Sequence, residues 1–294
     1  MKNIRGALVL FVLFLNTVLW FIPLISFAIL RGISPKKSLK VFFNKNCSQM
    51  ASMWVSCNSF IFSTINKTKW SIKGNDQLTV KNWYLILANH LSWVDIIVLQ
   101  TVLNKKVPFL KFFIKRELFW LPFLGIAWWA LDMPFMQRYS KSYLEKFPNK
   151  KGQDIKATKK ACKKFQYNPT SVINFVEGTR CSDEKLKETK SPFRNLLKPK
   201  AGGISLALSS MGKMFNEILD ITIVYPDGTV SFWDLLCGRF DRVIVDIKKI
   251  EIEDWMLVND YHKSNQNKEK FHQWLNQLWQ EKDNKISEIK HGFS

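Results

Sequence analysis

The feature that most constrains this chain is an apolar run near its N-terminus, residues 6–30, with the sequence GALVLFVLFLNTVLWFIPLISFAIL. As a helix this run would be about 37 Å long at ~1.5 Å per residue, enough to cross the hydrocarbon core of a bilayer. Asn16 and Pro23 interrupt it, so a kinked helix that enters one leaflet is the alternative. A cleaved signal peptide would need a shorter apolar stretch, although Ser26-Phe27-Ala28 resembles a cleavage site.

Positive charge predicts the orientation of this segment. Lys2 and Arg5 precede the apolar run and are outweighed by the cations that follow it: Arg31, Lys36, Lys37, Lys40 and Lys45. Such an excess predicts that the main domain lies on the cytoplasmic side of a membrane. We predict, separately, a membrane of the bacterial inner-membrane type. Residues 38–66 mix apolar and small polar residues, which predicts a second helix at the interface or, alternatively, an ordinary domain helix. We therefore predict N-terminal membrane-anchoring helices in residues 1–66 and an α/β domain in residues 67–294.

The composition favours a membrane partner. A net charge of +20 implies an anionic partner, which leaves acidic lipids, nucleic acid or an acidic protein. The chain also has 12 Trp and 23 Phe, and aromatic rings combined with cations are typical of a bilayer interface. Because no nucleic-acid-binding motif is present, membrane lipids rather than nucleic acid are the predicted partner. The five cysteines form no C-x-x-C pair and the four histidines have no metal-ligand spacing, so neither a metal nor a cofactor is predicted.

The body of the chain alternates between strand-like and helical patterns. Short apolar runs that end in polar residues or glycine predict strands at 83–89, 170–178, 217–225 and 242–250. Helical patterns occupy 92–104, 139–147, 154–166, 202–212 and 268–290. This alternation predicts an α/β fold with a mixed, partly parallel sheet flanked by helices. Sites in such folds lie at the carboxyl ends of strands, where His90 and Glu177 are found.

The stretch LILANHLSWVDII, residues 85–97, leads from an apolar strand into a polar turn. Ser92 and Asp95 match a capping box, in which Ser92 begins the helix and the Asp95 carboxylate reaches back to it. The second hypothesis is that Asp95 orients the ring of His90. On one regular helix the two would point about 140° apart, but a histidine in the preceding turn is within reach of the carboxylate. Capping and orienting are then compatible.

The chemistry of this pair suits proton abstraction. An imidazole titrates near neutral pH, so it can take a proton from a hydroxyl. A carboxylate that accepts a hydrogen bond from one ring nitrogen fixes the tautomer and leaves the other nitrogen free as a base. His90 and Asp95 are therefore the candidate catalytic residues.

With Asn89 before it, NHLSWVD resembles the N-H-x-x-x-x-D signature of the glycerolipid acyltransferase family, which includes the lysophosphatidic acid acyltransferases. Three further segments resemble the family's blocks in the same order: FIKRELFWLPFLGIAWWALDMPFMQR at 113–138, FVEGTR at 175–180 and ITIVYPDG at 221–228. The segment 191–208 also resembles a stretch found in a subgroup that acts on lysophospholipids. Together these blocks cover roughly residues 83–230.

The resemblance implies transfer of a fatty acyl group from acyl-CoA or acyl carrier protein to a glycerolipid hydroxyl. It implies that His90 is the general base, that Asp95 orients it, and that no covalent acyl-enzyme forms. It also implies a set of acceptor-binding residues: Lys115, Arg138, Glu177, Gly178, Thr179 and Arg180. Arg180 and Arg138 would bind the acceptor phosphate, Lys115 the phosphate or the developing oxyanion, and Glu177 an arginine or a glycerol hydroxyl.

Two departures from the family pattern bear on the choice of acceptor. Gln137 stands where the family often has an acidic residue, and Val176 stands where it often has proline. Trp128, Trp129 and Trp233 are candidates for an acyl tunnel, a bilayer contact or the ordinary core. The rival hypothesis is a catalytically silent, membrane-anchored lipid-binding or scaffold protein of the same fold.

Overall fold

The structure is a computed structural model that describes residues 2–65, 68–136, 146–147, 162–257 and 265–292. Its first two elements are long helices. Helix α1 spans Lys2–Ile33 and contains the whole apolar run, and α2 spans Lys37–Ile65. Both predicted helices are therefore present. Helix α1 is long and apolar enough to cross a membrane by length and composition, and only 17% of its apolar window is buried within the protein.

Polar residues inside the apolar run of α1 bind α2. The Asn16 amide donates to Asn58 Oδ1 at 2.8 Å, and Trp54 Nε1 donates to Thr17 Oγ1 at 3.2 Å. Asn16 is thus buried against its partner helix rather than presented to lipid. A polar side chain in an otherwise apolar helix is stabilised when a neighbouring helix supplies its hydrogen bonds.

Both ends of α1 contact the rest of the protein. Near its start, a Cβ on Gly6 would lie 2.7 Å from Cys237 Sγ, so the glycine allows a close approach. Near its end, Arg31 forms an ion pair with Asp132 at 2.7 Å. The helix therefore lies along the domain and leaves its other face exposed. That residues 1–66 anchor the chain and residues 67–294 form the enzyme domain remains a prediction.

The main sheet has six strands in the order β1-β8-β7-β2-β6-β3. Strands β7, β2, β6 and β3 are parallel, β8 is antiparallel to β7, and β1 pairs with β8 in parallel. The strands are β1 Lys69–Lys73, β2 Tyr84–Ala88, β3 Leu110–Phe112, β6 Ser171–Phe175, β7 Glu217–Val224 and β8 Arg242–Glu251. A separate parallel pair is formed by β4 Ile114–Lys115 and β5 Phe135–Met136. The predicted mixed, partly parallel sheet is confirmed.

Helices cover both faces of this sheet. They are α3 Val94–Leu103, α4 Leu124–Ala130, α5 Asp183–Glu188, α6 Ala201–Met211, α7 Phe232–Leu236, α8 Asp254–Leu257 and α9 Asn265–His291. Alternate residues of β2 point into apolar clusters on opposite faces of the sheet. Tyr84 and Ile86 belong to the cluster that includes α3 and α7. Leu85 and Leu87 belong to the cluster that includes α6 and α9. This two-sided burial explains why the strand is a continuous apolar run.

The predicted helices at 92–104, 202–212 and 268–290 are confirmed to within a few residues. The predicted helix at 139–147, apart from residues 146–147, and most of that at 154–166 lie outside the described residues. In the second, residues 162–166 are described, and residues 163–166 form part of a 3₁₀ turn, Lys163–Tyr167. Strands β1, β3, β4 and β5 were not predicted, because they have only two to five residues.

The junction between α1 and the domain depends on one carboxylate. Asp132 pairs with Arg31 at 2.7 Å and with Lys164 at 2.8 Å. Its charge also acts on the buried Lys111, whose pKa is lowered to about 8 by burial and raised in part by Asp132. Asn44 supplies a second acceptor to Arg31. One acidic group therefore offsets several cations at this junction.

We predict that Asp132→Asn destabilises the protein far more than Lys164→Gln. Loss of one partner from a buried pair costs about 3–5 kcal/mol, whereas an exposed pair contributes at most ~1 kcal/mol. Asparagine tolerates the positive φ of 54° at this position, so the change adds no backbone strain. Thermal unfolding in detergent micelles measures both variants. Equal melting temperatures would show that Asp132 does not hold the junction.

Candidate active site

The candidate site lies where β2, β6 and β7 end side by side. Ala88 of β2 pairs with Phe175 of β6 and with Ile221 of β7, all in parallel register. Asn89 extends this ladder through its side chain, because its amide donates to Ile223 O at 2.9 Å and accepts from Ile223 N at 2.8 Å. The asparagine is fully buried. His90 is thereby fixed at the carboxyl edge of the sheet, where α/β folds place their sites.

His90 and Asp95 are in contact, as the turn between them predicts. Their closest atoms, His90 Nδ1 and Asp95 Oδ2, are 2.8 Å apart. The same oxygen accepts from the backbone N–H groups of Leu91 at 2.6 Å and Ser92 at 2.8 Å. The other oxygen accepts from the Tyr225 hydroxyl at 2.7 Å. Since an ionised carboxylate only accepts, Nδ1 carries the proton and Nε2 presents its lone pair.

The predicted capping box is only half present. Asp95 does accept from the Ser92 N–H, but α3 begins at Val94 and the Ser92 hydroxyl does not accept from the Asp95 N–H. The hydroxyl donates instead to Val230 O and accepts from Val94 N at 3.2 Å. The prediction that Ser92 is the N-cap is therefore wrong, because Trp93 holds that position and the Ser92 hydroxyl accepts from Val94 N rather than from Asp95 N.

The ring of His90 is held on one face and open at one nitrogen. It stacks on Phe175 with 4.0 Å between centroids and 17° between planes. Its side chain is 13% exposed, whereas Asp95 is fully buried. Within the described ranges, no residue hydrogen-bonds Nε2. Burial and the nearby charge of Asp95 raise the pKa of Tyr225, so its hydroxyl remains a donor to the aspartate.

Glu177 binds the backbone of the site rather than a side chain or an exposed surface. Its Oε1 accepts from His90 N at 2.9 Å and its Oε2 from Leu197 N at 2.8 Å. Burial raises its pKa from 4.5 to about 7, although both backbone hydrogen bonds act to lower it. Among the described residues no arginine contacts Glu177, and each of its oxygens already accepts one backbone N–H in a buried setting. Its contact with a glycerol hydroxyl stays a prediction.

The turn after Glu177 carries cations to the same edge. Gly178 has a φ of +71°, as expected for glycine, and its missing Cβ would lie 3.3 Å from Lys200 Nζ. Thr179 Oγ1 accepts from Lys185 Nζ at 2.7 Å. Arg180 is exposed, with its guanidinium 5.2 Å from the ring of Trp93. Because Cys181 N donates to His90 O at 2.7 Å, this turn lies directly beside the histidine.

The remaining predicted site residues are not joined to this cluster. Lys115 is exposed in β4, in the separate two-stranded sheet, and among the described residues no contact links it to His90 or Asp95. Arg138 and Gln137 lie outside the described residues. In the described part of the chain, no three His, Cys, Asp or Glu side chains come together as a metal site requires.

A small apolar cavity lies beside the first turns of α3. Its volume is about 50 Å³, and its lining includes Phe62, Val94, Val98, Leu235 and Phe240. Ligand pockets usually measure roughly 300–1,000 Å³. This cavity is therefore too small to enclose a fatty acyl chain.

Three residues of the site were missed by sequence reasoning. Tyr225 was treated as part of an apolar strand, and its hydroxyl contact with Asp95 connects residues 130 positions apart. Phe175 was counted as strand core, although its ring supports His90. Asn89 was noted only as part of a motif. The one available signal was the position of all three at strand ends that a parallel sheet brings together.

We predict that Glu177→Gln lowers the melting temperature and that the loss depends on pH. The amide replaces one acceptor by a donor, and an unpaired buried N–H costs about 1–3 kcal/mol. Because the fold raises the pKa of Glu177 from 4.5 to about 7, ionisation costs the wild type stability as pH rises through that window. The difference in melting temperature between the wild type and Glu177→Gln should therefore narrow as the pH rises from about 5 to about 8.

Thermal unfolding in detergent at several pH values measures this difference. Glu188→Gln, an exposed position on α5, is the matched control and should change neither the melting temperature nor its pH dependence. A Glu177→Gln protein that melts with the wild type at every pH would contradict the assigned contacts.

Comparison with known proteins agrees with the geometry. The chain is 24% identical over 273 residues to the probable 1-acyl-sn-glycerol-3-phosphate acyltransferase 5 of Arabidopsis thaliana, covering 85% of this chain and 66% of that protein. It is 25% identical over 135 residues to the 2-acyl-1-lysophosphatidylinositol acyltransferase of Saccharomyces cerevisiae, covering 39% of this chain and 32% of that protein. The chain thus spans between about a third and two thirds of these relatives.

The fold is similar to the crystal structure of the 1-acyl-sn-glycerophosphate (LPA) acyltransferase PlsC from Thermotoga maritima. The TM-score is 0.57 at 15% identity, over 99% of this chain and 98% of that one. The model of the family described as Acyltransferase matches residues 69–228, which include His90, Asp95, Glu177 and Arg180. Since this match spans more than half of the 294 residues, the chain belongs to the Acyltransferase family.

Proposed function

We propose that the protein transfers a fatty acyl group from acyl-CoA or acyl carrier protein to the free hydroxyl of lysophosphatidic acid or a related lysophospholipid. The observation that carries this proposal is the His90–Asp95 pair, with Nδ1 held at 2.8 Å and Nε2 without a partner among the described residues. The names of the two curated relatives support a glycerolipid acceptor.

In the proposed reaction His90 Nε2 accepts the proton of the acceptor hydroxyl as its oxygen attacks the thioester carbonyl. The new ester C–O bond forms, the C–S bond breaks, and the proton passes from His90 to the departing thiolate. Asp95 stabilises the imidazolium that forms and holds its tautomer. The hydroxyl of the acceptor is the nucleophile, so no acyl-enzyme is required and no cofactor takes part.

The cations beside Gly178 form the proposed phosphate site. Arg180 is the main candidate, because a guanidinium offers a planar fork of donors and this one is exposed next to the histidine loop. Gly178 keeps the backbone open at that point, and Thr179 borders it. Lys115 and Arg138 remain candidates for the same phosphate by their resemblance to the family's blocks. Glu177 is also proposed to position the loop.

The proposed location is a membrane of the bacterial inner-membrane type, with the domain on its cytoplasmic side. The exposed apolar face of α1 supports an association with lipid. The net charge of +20 suits anionic lipids, the phosphates of coenzyme A and an acidic carrier protein, all of which it would attract.

We predict that His90→Ala lowers acyl transfer by about 10²–10⁴-fold, the usual contribution of a general base. Membranes containing either protein would receive labelled acyl-CoA or acyl carrier protein and a panel of lysophospholipids. Product formation measures turnover. His272→Ala, on α9 away from the sheet edge, is the matched control. Equal turnover by wild type and His90→Ala would remove His90 from the reaction, and no turnover with any donor would favour the lipid-binding scaffold.

We predict that Arg180→Ala reduces kcat/KM for the acceptor by about 10–100-fold, since a hydrogen bond to a charged group contributes about 1.5–3 kcal/mol. The KM of the acyl donor should change little. Lys187→Ala, an exposed cation on the neighbouring α5, is the matched control. An unchanged acceptor dependence in Arg180→Ala would show that the phosphate binds elsewhere.

A further inference from the structure

The segment between Leu118 and Leu131 contains fourteen consecutive residues without a charged or polar side chain, other than the indole N–H groups of its tryptophans: LFWLPFLGIAWWAL. Apolar stretches of about 10–14 residues are either buried core helices or segments at a membrane interface. This one forms a 3₁₀ turn, Arg116–Trp120, followed by α4, Leu124–Ala130. We call residues 116–130 the aromatic hairpin.

The aromatic hairpin is not a core element. Trp120 is 83% exposed and Trp129 is 50% exposed, and four other large apolar side chains of the hairpin are exposed too: Leu121, Phe123, Leu124 and Ile126. A contiguous apolar surface of this kind on a folded protein marks an interaction site. Its two exposed tryptophans suit a boundary between water and hydrocarbon, because the indole ring is apolar and its N–H is polar.

The tip of the hairpin is tightly built. Leu124 N donates to Pro122 O at 2.6 Å, and Phe123 between them has φ 60° and ψ −51°, the geometry of a γ-turn. A Cβ on Gly125 would lie 1.8 Å from Phe119 O, so only glycine lets α4 pack back on the preceding turn. The exposed side chains are thus held outward by an ordered turn.

The buried side of the hairpin joins it to the N-terminal helices. Ala130 and Leu131 belong to one apolar cluster with Leu24 and Ala28 of α1. At the edge of this cluster the rings of Phe21 and Phe123 meet edge to face, 5.4 Å apart. The exposed apolar faces of α1 and of the hairpin are therefore continuous. At the root of the hairpin, cations outnumber acids in the sequence Lys115-Arg116-Glu117, which suits lipid phosphates.

We propose that the aromatic hairpin is a second membrane-inserting element, and that its partner is the acyl-chain region of a phospholipid bilayer. The proposal rests on the proposed membrane association of α1. A row of aromatic contacts connects the hairpin to the site. Phe112 packs in the cluster at the hairpin root and stacks on Phe175, and Phe175 stacks on His90. Insertion of the hairpin would bring the histidine close to the lipid surface.

Site-directed fluorescence on the full chain tests this. An environment-sensitive thiol label is placed at Trp120→Cys or, as the control, at Gln273→Cys on α9, both with Cys57→Ser, since the other four cysteines are buried. The protein is bound to vesicles of phosphatidylcholine and phosphatidylglycerol. We expect the label at position 120 to shift to the blue, to be quenched by nitroxides on lipid acyl chains and to lose quenching by aqueous iodide. The label at position 273 should keep its emission wavelength, remain quenched by iodide and show no quenching by the lipid nitroxides.

Iodide quenching at position 120 equal to that at position 273 would overturn the proposal. Shielding from iodide without quenching by lipid nitroxides would show that a second copy of the chain covers the hairpin, and would also overturn it. The label reports insertion without turnover. A chain that inserts but transfers no acyl group therefore contradicts only the proposed function, and His90-dependent turnover without insertion contradicts only this proposal.

A charge-insertion variant gives a second measurement. Trp120→Glu with Ile126→Glu changes two exposed positions, so the fold should persist, and Gln273→Glu is the matched control. We expect a loss of turnover on lysophosphatidic acid embedded in vesicles and unchanged turnover on the same lipid dispersed in detergent. Unchanged turnover on vesicles would contradict insertion.

Discussion

The site depends on the burial of a single carboxylate, Asp95. A carboxylate inside a protein is stable only if its oxygens accept hydrogen bonds, and Asp95 obtains them from His90, from the backbone of Leu91 and Ser92, and from Tyr225. Those donors come from the turn after β2 and from the end of β7. The aspartate therefore fixes the turn, the start of α3 and the neighbouring strand in the arrangement that also orients the imidazole.

Glu177 and Asp95 bind different parts of His90. Glu177 accepts a hydrogen bond from the His90 backbone N–H, and Asp95 accepts one from the ring. The second contact of Glu177, with Leu197, extends the support to the loop before α6. Helix α9 fixes that loop from behind, because Asp283 accepts from Arg194 N and Asn195 N and the Trp279 indole donates to Leu197 O. The C-terminal helix thus supports the site without contacting it. Two buried carboxylates, one in the first turn of α3 and one in the turn after β6, explain how a histidine in a turn can be held rigidly.

Local pattern was enough to predict β2, because it is a short continuous apolar run, and to predict α3, α6 and α9 from their helical patterns. It was also enough to pair His90 with Asp95, since both belong to one turn. The function of Glu177 could not be predicted in this way, because its two partners are backbone N–H groups 87 and 20 residues away. The contact of the Ser92 hydroxyl could not be predicted for the same reason, since it donates to Val230 O, 138 residues distant. Contacts without a sequence period are visible only in the fold.

The same distinction applies to the apolar segments. By composition, the core strand β2 and the aromatic hairpin are alike, yet one is enclosed on both faces and the other is exposed. What separates them is their place in the fold: helices cover both faces of β2, whereas residues 116–130 lie beside α1. The proposed reaction between two lipid-bearing substrates would need a hydroxyl and a thioester brought to the histidine, and the chains attached to them are most stable in hydrocarbon. A site at the sheet edge, next to an inserted hairpin, would let both chains remain in the bilayer while their polar ends react.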